Sequence, residues 1–591
     1  MEINRVNDMD SRKPVYTEKT ECQDCFKCVR KCPVKAIEIE EGRASIASEL
    51  CIFCGHCVDV CSTKAKKVRD DLDRAKDLLK QKKRVLVSIS PSYVGEFAGV
   101  DPPFLIAALK KLGFAEVSET ALGAQQVSAR VAEQLQNSNA KLTISSACPA
   151  AVDFVQKYLP EQADCITPIL SPLLSHCRLL RKVFGDDVGI VFIGPCAAKK
   201  READRHPDIL DVALTFKDLH RWFHEEGIDP LNMLPGGEDQ FVPEAANEGA
   251  LYPVEGGMNE TIRLFGDFSD VRFMTLAGVY CINRALTGLK IDELNNRVFV
   301  EILACQGSCV HGPCTGKARP YLLDELEVYN RANVPSGRIE RNVLVEIDGL
   351  HREAPLPVQH HSEEQIRKAL QQVGALNEED ELNCGGCGYD TCRSLANALL
   401  TGRAEPTMCL SHLRKLAQKK ANALLRCIPM SVVIVGADMK VIECNENFIQ
   451  MFDEESLFTN QVHPGLEGAC LEKLVPFSDL FHAVLLTGQD LRRDALHINN
   501  KIYNVTIFTI ETNQVVGGVI LDVTGTEMHR EQIAQRAKQV IRKNLETVQE
   551  IAFRLGENMA DTEILLRSLA YGFTTKDINL LEQAEDEANA S

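Results

Sequence analysis

No uninterrupted apolar run in this 591-residue chain approaches the ~18 residues that a bilayer crossing needs, so no membrane span is expected. The N-terminus lacks the basic-then-apolar leader of an exported protein. Positive charge is also short: 66 Lys and Arg against 84 Asp and Glu leave a net charge of -18, which repels a phosphate backbone on average and argues against nucleic acid. A cytoplasmic location is therefore expected. What the chain has in quantity is cysteine, 23 in all, and without a secretory leader these thiols are expected as metal ligands rather than as bridges. The length exceeds what one core can organise and divides into roughly four domains.

Residues 1–72 carry Cys22-x2-Cys25-x2-Cys28-x3-Cys32-Pro33 and then Cys51-x2-Cys54-x2-Cys57-x3-Cys61-Ser62. This is the bacterial two-cluster ferredoxin spacing, in which three cysteines on one loop face one cubane and the fourth reaches the other. Cys22, Cys25, Cys28 and Cys61 are expected to hold one cluster, and Cys51, Cys54, Cys57 and Cys32 the second. Two structural zinc sites are the alternative, but zinc prefers its ligands as two pairs, and each run here offers four. Ser62 stands where the first run has Pro33, a turn residue that ligates nothing.

A helical connector, Asp71 to Lys83, leads into an α/β region over residues 80–350. Short β-branched strands at Val85 to Ser90, Val188 to Ile193, Leu142 to Ile144 and Val298 to Ile302 are each followed by a distinctive segment. Three of these segments carry cysteine: Ser146-Ala-Cys-Pro149, Gly194-Pro-Cys-Ala-Ala-Lys199 and Glu301-Ile-Leu-Ala-Cys-Gln-Gly-Ser-Cys309. Open α/β sheets bind ligands beyond the carboxyl ends of their strands, so these ends are expected to converge on one buried cofactor. Together the segments resemble the three signatures of the iron-only hydrogenases.

That resemblance implies that Cys148, Cys196, Cys305 and Cys309 hold a 4Fe-4S cluster, with Cys309 bridging to a di-iron centre that carries CO, cyanide and dithiolate ligands. It implies that Lys199 donates a hydrogen bond to a cyanide, that Glu202 neutralises Lys199, and that Pro195, Ala198, Ser90, Pro91 and Leu303 surround the same pocket. Gly256 and Gly257, within Glu255-Gly-Gly-Met-Asn-Glu260, resemble a stretch beside the family's cavity. The departures are informative. Ala147 replaces the proton-relaying Cys and can neither donate nor accept a proton. The segment Leu122 to Arg130 contains no carboxylate, and Gln125 and Gln126 do not titrate near neutral pH. Gly194 and Leu303 stand where the family has Met, and Ala150 and Ala151 where it has Trp. Cys314, at a family glycine position, is read either as a structural thiol or as a substitute proton or redox group. Cys165, Cys177 and Cys281 are read as packing residues.

Over residues 360–420, Cys384-x2-Cys387-x4-Cys392-x16-Cys409 resembles another small 4Fe-4S module, an outgoing wire; zinc is the alternative. Residues 421–525 resemble a PAS domain through Asn445, Phe448 and the closing Asp522-Val-Thr524, with a generic dimerising α+β module as the other reading. Cys427, Cys444 and Cys470 there are plain thiols or a redox switch. Residues 526–591 place Ile541, Val548 and Leu555 at intervals of seven, as in a dimeric coiled coil, before an acidic end.

The expected fold class is multidomain α/β and α+β: a two-cluster ferredoxin domain, a two-lobed α/β iron hydrogenase catalytic domain, a small 4Fe-4S domain, a PAS domain and a C-terminal coiled-coil helix. This order resembles the sensory FeFe hydrogenases. It implies four 4Fe-4S clusters plus the di-iron subcluster, slow reversible oxidation of H2, a ferredoxin-like electron partner, and a homodimer that signals to a separate kinase or phosphatase. A metabolic hydrogenase and an iron-sulfur electron-transfer scaffold without the di-iron centre are the other readings.

Overall fold

The computed structural model describes residues 13–316, 319–349, 351, 354–357, 360–452, 466–498, 501–524 and 536–544. Two compact units divide the chain, Met1–Glu405 and Pro406–Ser591, with the division inside the segment read above as one small cluster module.

The first unit opens on a duplicated motif. Strand β1 (Val15–Thr17) is followed by helix α1 (Lys27–Lys31), the hairpin β2 (Ile37–Glu40) and β3 (Arg43–Ile46), helix α2 (His56–Val60) and β4 (Lys66–Val68), which pairs antiparallel with β1. Each one-turn helix starts from a left-handed residue, Phe26 at φ 53° and Gly55 at φ 78°, and hands over to its fourth cysteine, Cys32 or Cys61, as C-cap. Gly55 is needed on a second ground, because a Cβ there would lie 2.6 Å from Cγ of Pro313.

Helix α3 (Leu72–Gln81) leads into a parallel sheet of β5 (Val85–Ile89), β6 (Glu116–Glu119), β8 (Gly189–Gly194) and β9 (Val212–Thr215), in the order β6-β5-β8-β9. A second parallel sheet has the order β10-β11-β7, from β7 (Leu142–Ile144), β10 (Val271–Ala277) and β11 (Arg297–Leu303). Successive side chains of a strand point to opposite faces. Accordingly Val87, Ile89, Val191, Ile193 and Leu214 enter one apolar core, whereas Leu86, Ile190, Phe192 and Ala213 enter another. Burial on both faces makes these strands continuous apolar runs, as a parallel sheet covered by helices demands. Each Val, Ile or Leu so buried contributes about 1.5–3 kcal/mol. The covering helices that matter for the site are α4 (Ala121–Asn137), α5 (Pro149–Tyr158), α6 (Pro172–Phe184) and α7 (Ala198–Arg205).

The unit ends with α8 (Glu363–Gln372) and α9 (Cys392–Leu400), which share a small core of Ala369, Leu370 and Ala396. This segment packs on the duplicated motif: the amide of Ile39 donates to the Arg403 carbonyl at 3.1 Å, and Gly388 sits against the Arg30 backbone. The segment read as an outgoing wire thus lies beside the ferredoxin-like part, through the loop that carries Cys384 and Cys387.

In the second unit, α10 (Leu410–Cys427) precedes an antiparallel sheet of order β13-β12-β16-β15-β14. Its strands are β12 (Ser431–Gly436), β13 (Val441–Cys444), β14 (Leu491–Ile498), β15 (Lys501–Glu511) and β16 (Val515–Asp522). Val433, Val435, Ile507 and Ile520 face a core with Phe448 and Phe481; Val432, Phe508 and Val519 face the opposite side with Met430 and Ala537. Asn445 is buried and donates to the Met430 carbonyl at 2.6 Å while its Oδ1 accepts from the amides of Val432 and Phe448. Residues 536–544 are helical, and of the expected stripe Val540 is half-buried and Ile541 buried there; Val548 and Leu555 lie outside the described residues. Cys177 is buried and Cys165 half-buried, but Cys281 is exposed on its helix, which corrects its reading as a packing residue. Among the described residues no helix is long and apolar enough to cross a membrane.

Candidate functional site

The carboxyl ends of five strands meet at one cavity. Ser90 and Pro91 follow β5, Thr120 follows β6, Ala147 and Cys148 follow β7, Pro195 and Cys196 follow β8, and Leu303 closes β11 ahead of Cys309; all line the cavity. The site therefore lies between the two sheets. Cys148 is the N-cap of α5, and β8 is held flush by Gly194, where a Cβ would lie 2.4 Å from the Phe192 ring, itself part of the cavity wall.

Lys199 reaches the cavity from the first turn of α7. Its Nζ donates to Glu202 Oε2 at 2.6 Å and to Ser171 Oγ at 3.0 Å, and both charged side chains are about nine-tenths buried, at 11% and 9% exposure. An ammonium so enclosed is costly without such partners. Ala198 and Glu202 open instead onto a neighbouring cavity that also exposes Arg201, Arg205 and His206. Gly256 and Gly257 do not line the main cavity, although Tyr252 and Pro253 just before them do. Gly256, at φ 83°, starts the following helix, and a Cβ on Gly257 would strike the Leu251 carbonyl. Cys314 is buried, its amide donates to the Pro195 carbonyl at 3.1 Å, and its thiol is absent from the cavity lining.

The donor set fits an iron-sulfur cluster. Burial pushes the Cys196 thiol up to about 11 and those of Cys305 and Cys309 well above the ordinary range, and thiolates on this group of cysteines would repel one another. Burying several thiolates together requires a cationic core to offset them. Among the described residues no three His, Cys, Asp or Glu side chains converge as for a single metal ion; a cubane holds its thiolates further apart at its corners. In the duplicated motif, Cys28 lies in the field of Cys22, Cys25 and Cys61, and Cys57 in that of Cys54, Cys51 and Cys32. This is a crosswise grouping. The second, inner group adjoins the cavity, since Cys54 lies in the field of Cys196 and Cys305 in that of Cys54, and a Cβ on Gly55 would lie 3.6 Å from Cβ of Ala197. Cys384 and Cys387 lie on one loop of the first unit, Cys392 opens α9, and Cys409 is the N-cap of α10 in the second unit.

Two buried polar residues behind the cavity wall escaped the sequence reading. His176 bridges Ser88 at 2.8 Å and Ser118 at 2.9 Å beneath Thr120, and burial lowers its pKa to about 3, so the imidazole is neutral. Glu248, fully buried, accepts from Gln125 Nε2 at 3.0 Å and pairs with Arg341 at 3.1 Å. Neither residue lies in a recognisable motif; the only sequence signal was the polar character of their surroundings.

Residues 83–313 match the family "Iron only hydrogenase large subunit, C-terminal domain", residues 21–66 the "4Fe-4S dicluster domain", and residues 380–411 the "Putative Fe-S cluster" family. All eight cysteines of the duplicated motif, Cys22 to Cys61, fall within the second of these matches, and the ferredoxin of Methanothermococcus thermolithotrophicus is 39% identical over 54 residues, 9% of this chain and 90% of its own length. NADP-reducing hydrogenase subunit HndD of Solidesulfovibrio fructosivorans is 27% identical over 356 residues, 49% of this chain and 59% of its own. Iron hydrogenase 1 of Clostridium pasteurianum is 23% identical over 387 residues, 54% of this chain and 67% of its own. The chain therefore spans three fifths to two thirds of these hydrogenases' lengths. A solved structure of apo FeFe-hydrogenase HydA1 from Chlamydomonas reinhardtii aligns over 45% of this chain and 90% of its own, at 19% identity and a TM-score of 0.36. The N-terminal segment is a ferredoxin-like 4Fe-4S domain. Over residues 83–313 the chain is similar to the FeFe hydrogenases.

Proposed function

We propose that this chain is a sensory hydrogenase, which binds H2, oxidises it slowly and reversibly, and reports its redox state to a signalling module. The observation that carries the reading is the cavity that joins Lys199 and Cys309 to a wall with Ala147 where a proton-relaying thiol would stand. Cys148, Cys196, Cys305 and Cys309 would hold a 4Fe-4S cluster, and Cys309 would bridge it to a di-iron centre with CO, cyanide and dithiolate ligands. Bound there, that centre would supply the interconversion of H2 with two protons and two electrons.

The chain's own residues have separable tasks. Lys199 presents an ammonium fixed by Glu202 and Ser171, oriented to donate to an anionic ligand. Pro91, Pro149, Pro172, Leu173, Phe192 and Leu303 make the cavity wall apolar and exclude water. At position 147 a methyl group neither accepts nor releases a proton, so proton exchange there is slow. The two ferredoxin-type cysteine groups, and the Cys384, Cys387, Cys392 and Cys409 set, would bind three further 4Fe-4S clusters as an electron line. In the second unit the strand order and the ties made by Asn445 support a PAS module, with dimerisation and a separate kinase or phosphatase as output.

Infrared spectroscopy of protein produced with di-iron maturation tests this. Carbon monoxide and cyanide stretching bands that shift between H2 and an oxidant are expected. Their absence, with cubane iron complete, would sink the hydrogen reading and leave an electron-transfer scaffold; bands with fast turnover would favour a metabolic enzyme.

A further inference from the structure

Helix α5 touches two cysteine groups, one at each end. Cys148 caps its start, and Lys157 and Tyr158 close it, about 15 Å away at 1.5 Å per residue. At that end Lys157 Nζ donates to the carbonyls of Glu49 at 2.7 Å and Cys51 at 2.8 Å, and Tyr158 donates to the Leu50 carbonyl at 2.7 Å. Three consecutive carbonyls of the loop bearing Cys51 are thus gripped by the hydrogenase-like part.

The grip brings charge with it. Asp153, one turn earlier on α5, is occupied by Arg201 and Arg205, so Lys157 has carbonyls rather than a carboxylate as its hydrogen-bond partners. The Arg201 guanidinium lies 4.7 Å from the Phe53 ring of the same loop. Three cations therefore share one carboxylate beside Cys51. The outer group has one such contact, the Arg30 guanidinium donating to the Cys25 carbonyl at 2.9 Å, whereas the inner group has two cations, Lys157 and Arg201, at its loop. Lys66 acts on both, through Cys28 and Cys57, whereas Lys157 and Arg201 act on the inner group through Cys51, and Lys67 on the outer side is paired with Glu21 at 3.1 Å.

We propose that Lys157, backed by Arg201, is a positioning residue that raises the reduction potential of the inner cluster (Cys51, Cys54, Cys57, Cys32) above that of the outer one (Cys22, Cys25, Cys28, Cys61). The inference rests on the cluster reading above but not on hydrogen chemistry. A cubane with four thiolates gains one negative charge on reduction, and a fixed cation across a single backbone layer favours the reduced form. One electron leaves the outer cluster, which is oxidised, and enters the inner cluster, which is reduced; no proton moves. The electron then rests on the cluster next to the hydrogenase-like cavity.

The test is a redox titration followed by electron paramagnetic resonance, on the full chain produced without di-iron maturation. Two separated ferredoxin-type midpoints are expected. Lys157→Met should move the higher one to more negative potential and leave the other in place, and Lys157→Arg should restore it. Iron content is measured alongside. If Lys157→Met loses iron, Arg201→Met, which touches no carbonyl of the loop, decides: the same midpoint should fall. Unchanged midpoints at full iron content in either variant, or an equal shift of every midpoint, would overturn the proposal. A wild-type protein with no cubane signal would instead overturn the cluster reading beneath it.

Discussion

Lys200 is fully buried beside Lys199, and its replacement by Met is expected to cost stability rather than cofactor. Its Nζ donates to Asp71 Oδ2 at 3.1 Å and to Asp218 Oδ2 at 2.9 Å, joining the segment after the ferredoxin-like domain to the helices under β8 and β9. Removing one partner of a buried ion pair leaves uncompensated charge and costs about 3–5 kcal/mol. Here the lower end applies. Asp71 keeps Arg69 at 3.0 Å and Arg74 at 2.9 Å, and Asp218 keeps the Thr215 amide at 2.9 Å. In a domain of this size each kcal/mol moves the melting point by about 2–4 °C, so Lys200→Met should melt about 6–12 °C lower. The assay is thermal unfolding of the full chain by circular dichroism, with iron content measured on the same sample. A variant that melts within about 2 °C of wild type, well inside what ~3 kcal/mol demands, would show that the buried triad contributes nothing net.

Two further outcomes are expected. Ala147→Cys should raise H2 turnover by about tenfold or less, below the ~100-fold of a complete general-acid relay, because a single thiol restores only the first step; no rise at all would show that the severed relay does not limit the rate. Glu119 has its pKa raised to about 7 by burial, above the ordinary 4.5, against a stabilising amide from Ala246 at 2.7 Å. Because the unfolded chain gives up this proton first, the native state loses stability as pH rises from about 4.5 to 7 and none beyond, at most about 3 kcal/mol. Glu119→Gln should therefore flatten the melting temperature across that window, and a variant with the wild-type slope would refute the assignment.

Local spacing made the cysteine groups legible. Three ligands on one tight loop and a fourth after one helical turn are written into consecutive residues, as are the Pro and Gly residues that shape the strand ends. Lys199 was legible through its distance from Cys196. Lys200 was not, because adjacent lysines on a helix differ only in which way each points, and that depends on Asp71 and Asp218 from distant segments. The same holds for His176, whose two serines come from neighbouring strands, and for Glu248, which reaches Gln125 across the fold. Gly256 and Gly257 were read as cavity residues from a motif, yet their small size serves the turn and the packing of the next helix. The stripe from Ile541 onward suits a partner helix by periodicity alone, but where it is described its first member is buried.

The polar groups near the position of the family's proton relay are committed elsewhere. Gln126 accepts the Leu344 amide at 2.6 Å, Gln125 is tied to Glu248, which is itself tied to Arg341, and Ser128 is shared at 2.8 Å between Tyr252 and Thr261. A relay needs groups free to exchange partners, whereas each of these holds two parts of the backbone or core together. The inner ferredoxin-type loop lies against Ala197 and is gripped by Lys157 and Tyr158. On the proposed hydrogenase reading, electron access keeps these contacts while Gln125, Gln126 and Ser128 are held in fixed pairings. Slow proton exchange through that segment would let the redox state outlast a turnover, which a reporter of H2 requires and a fast catalyst does not.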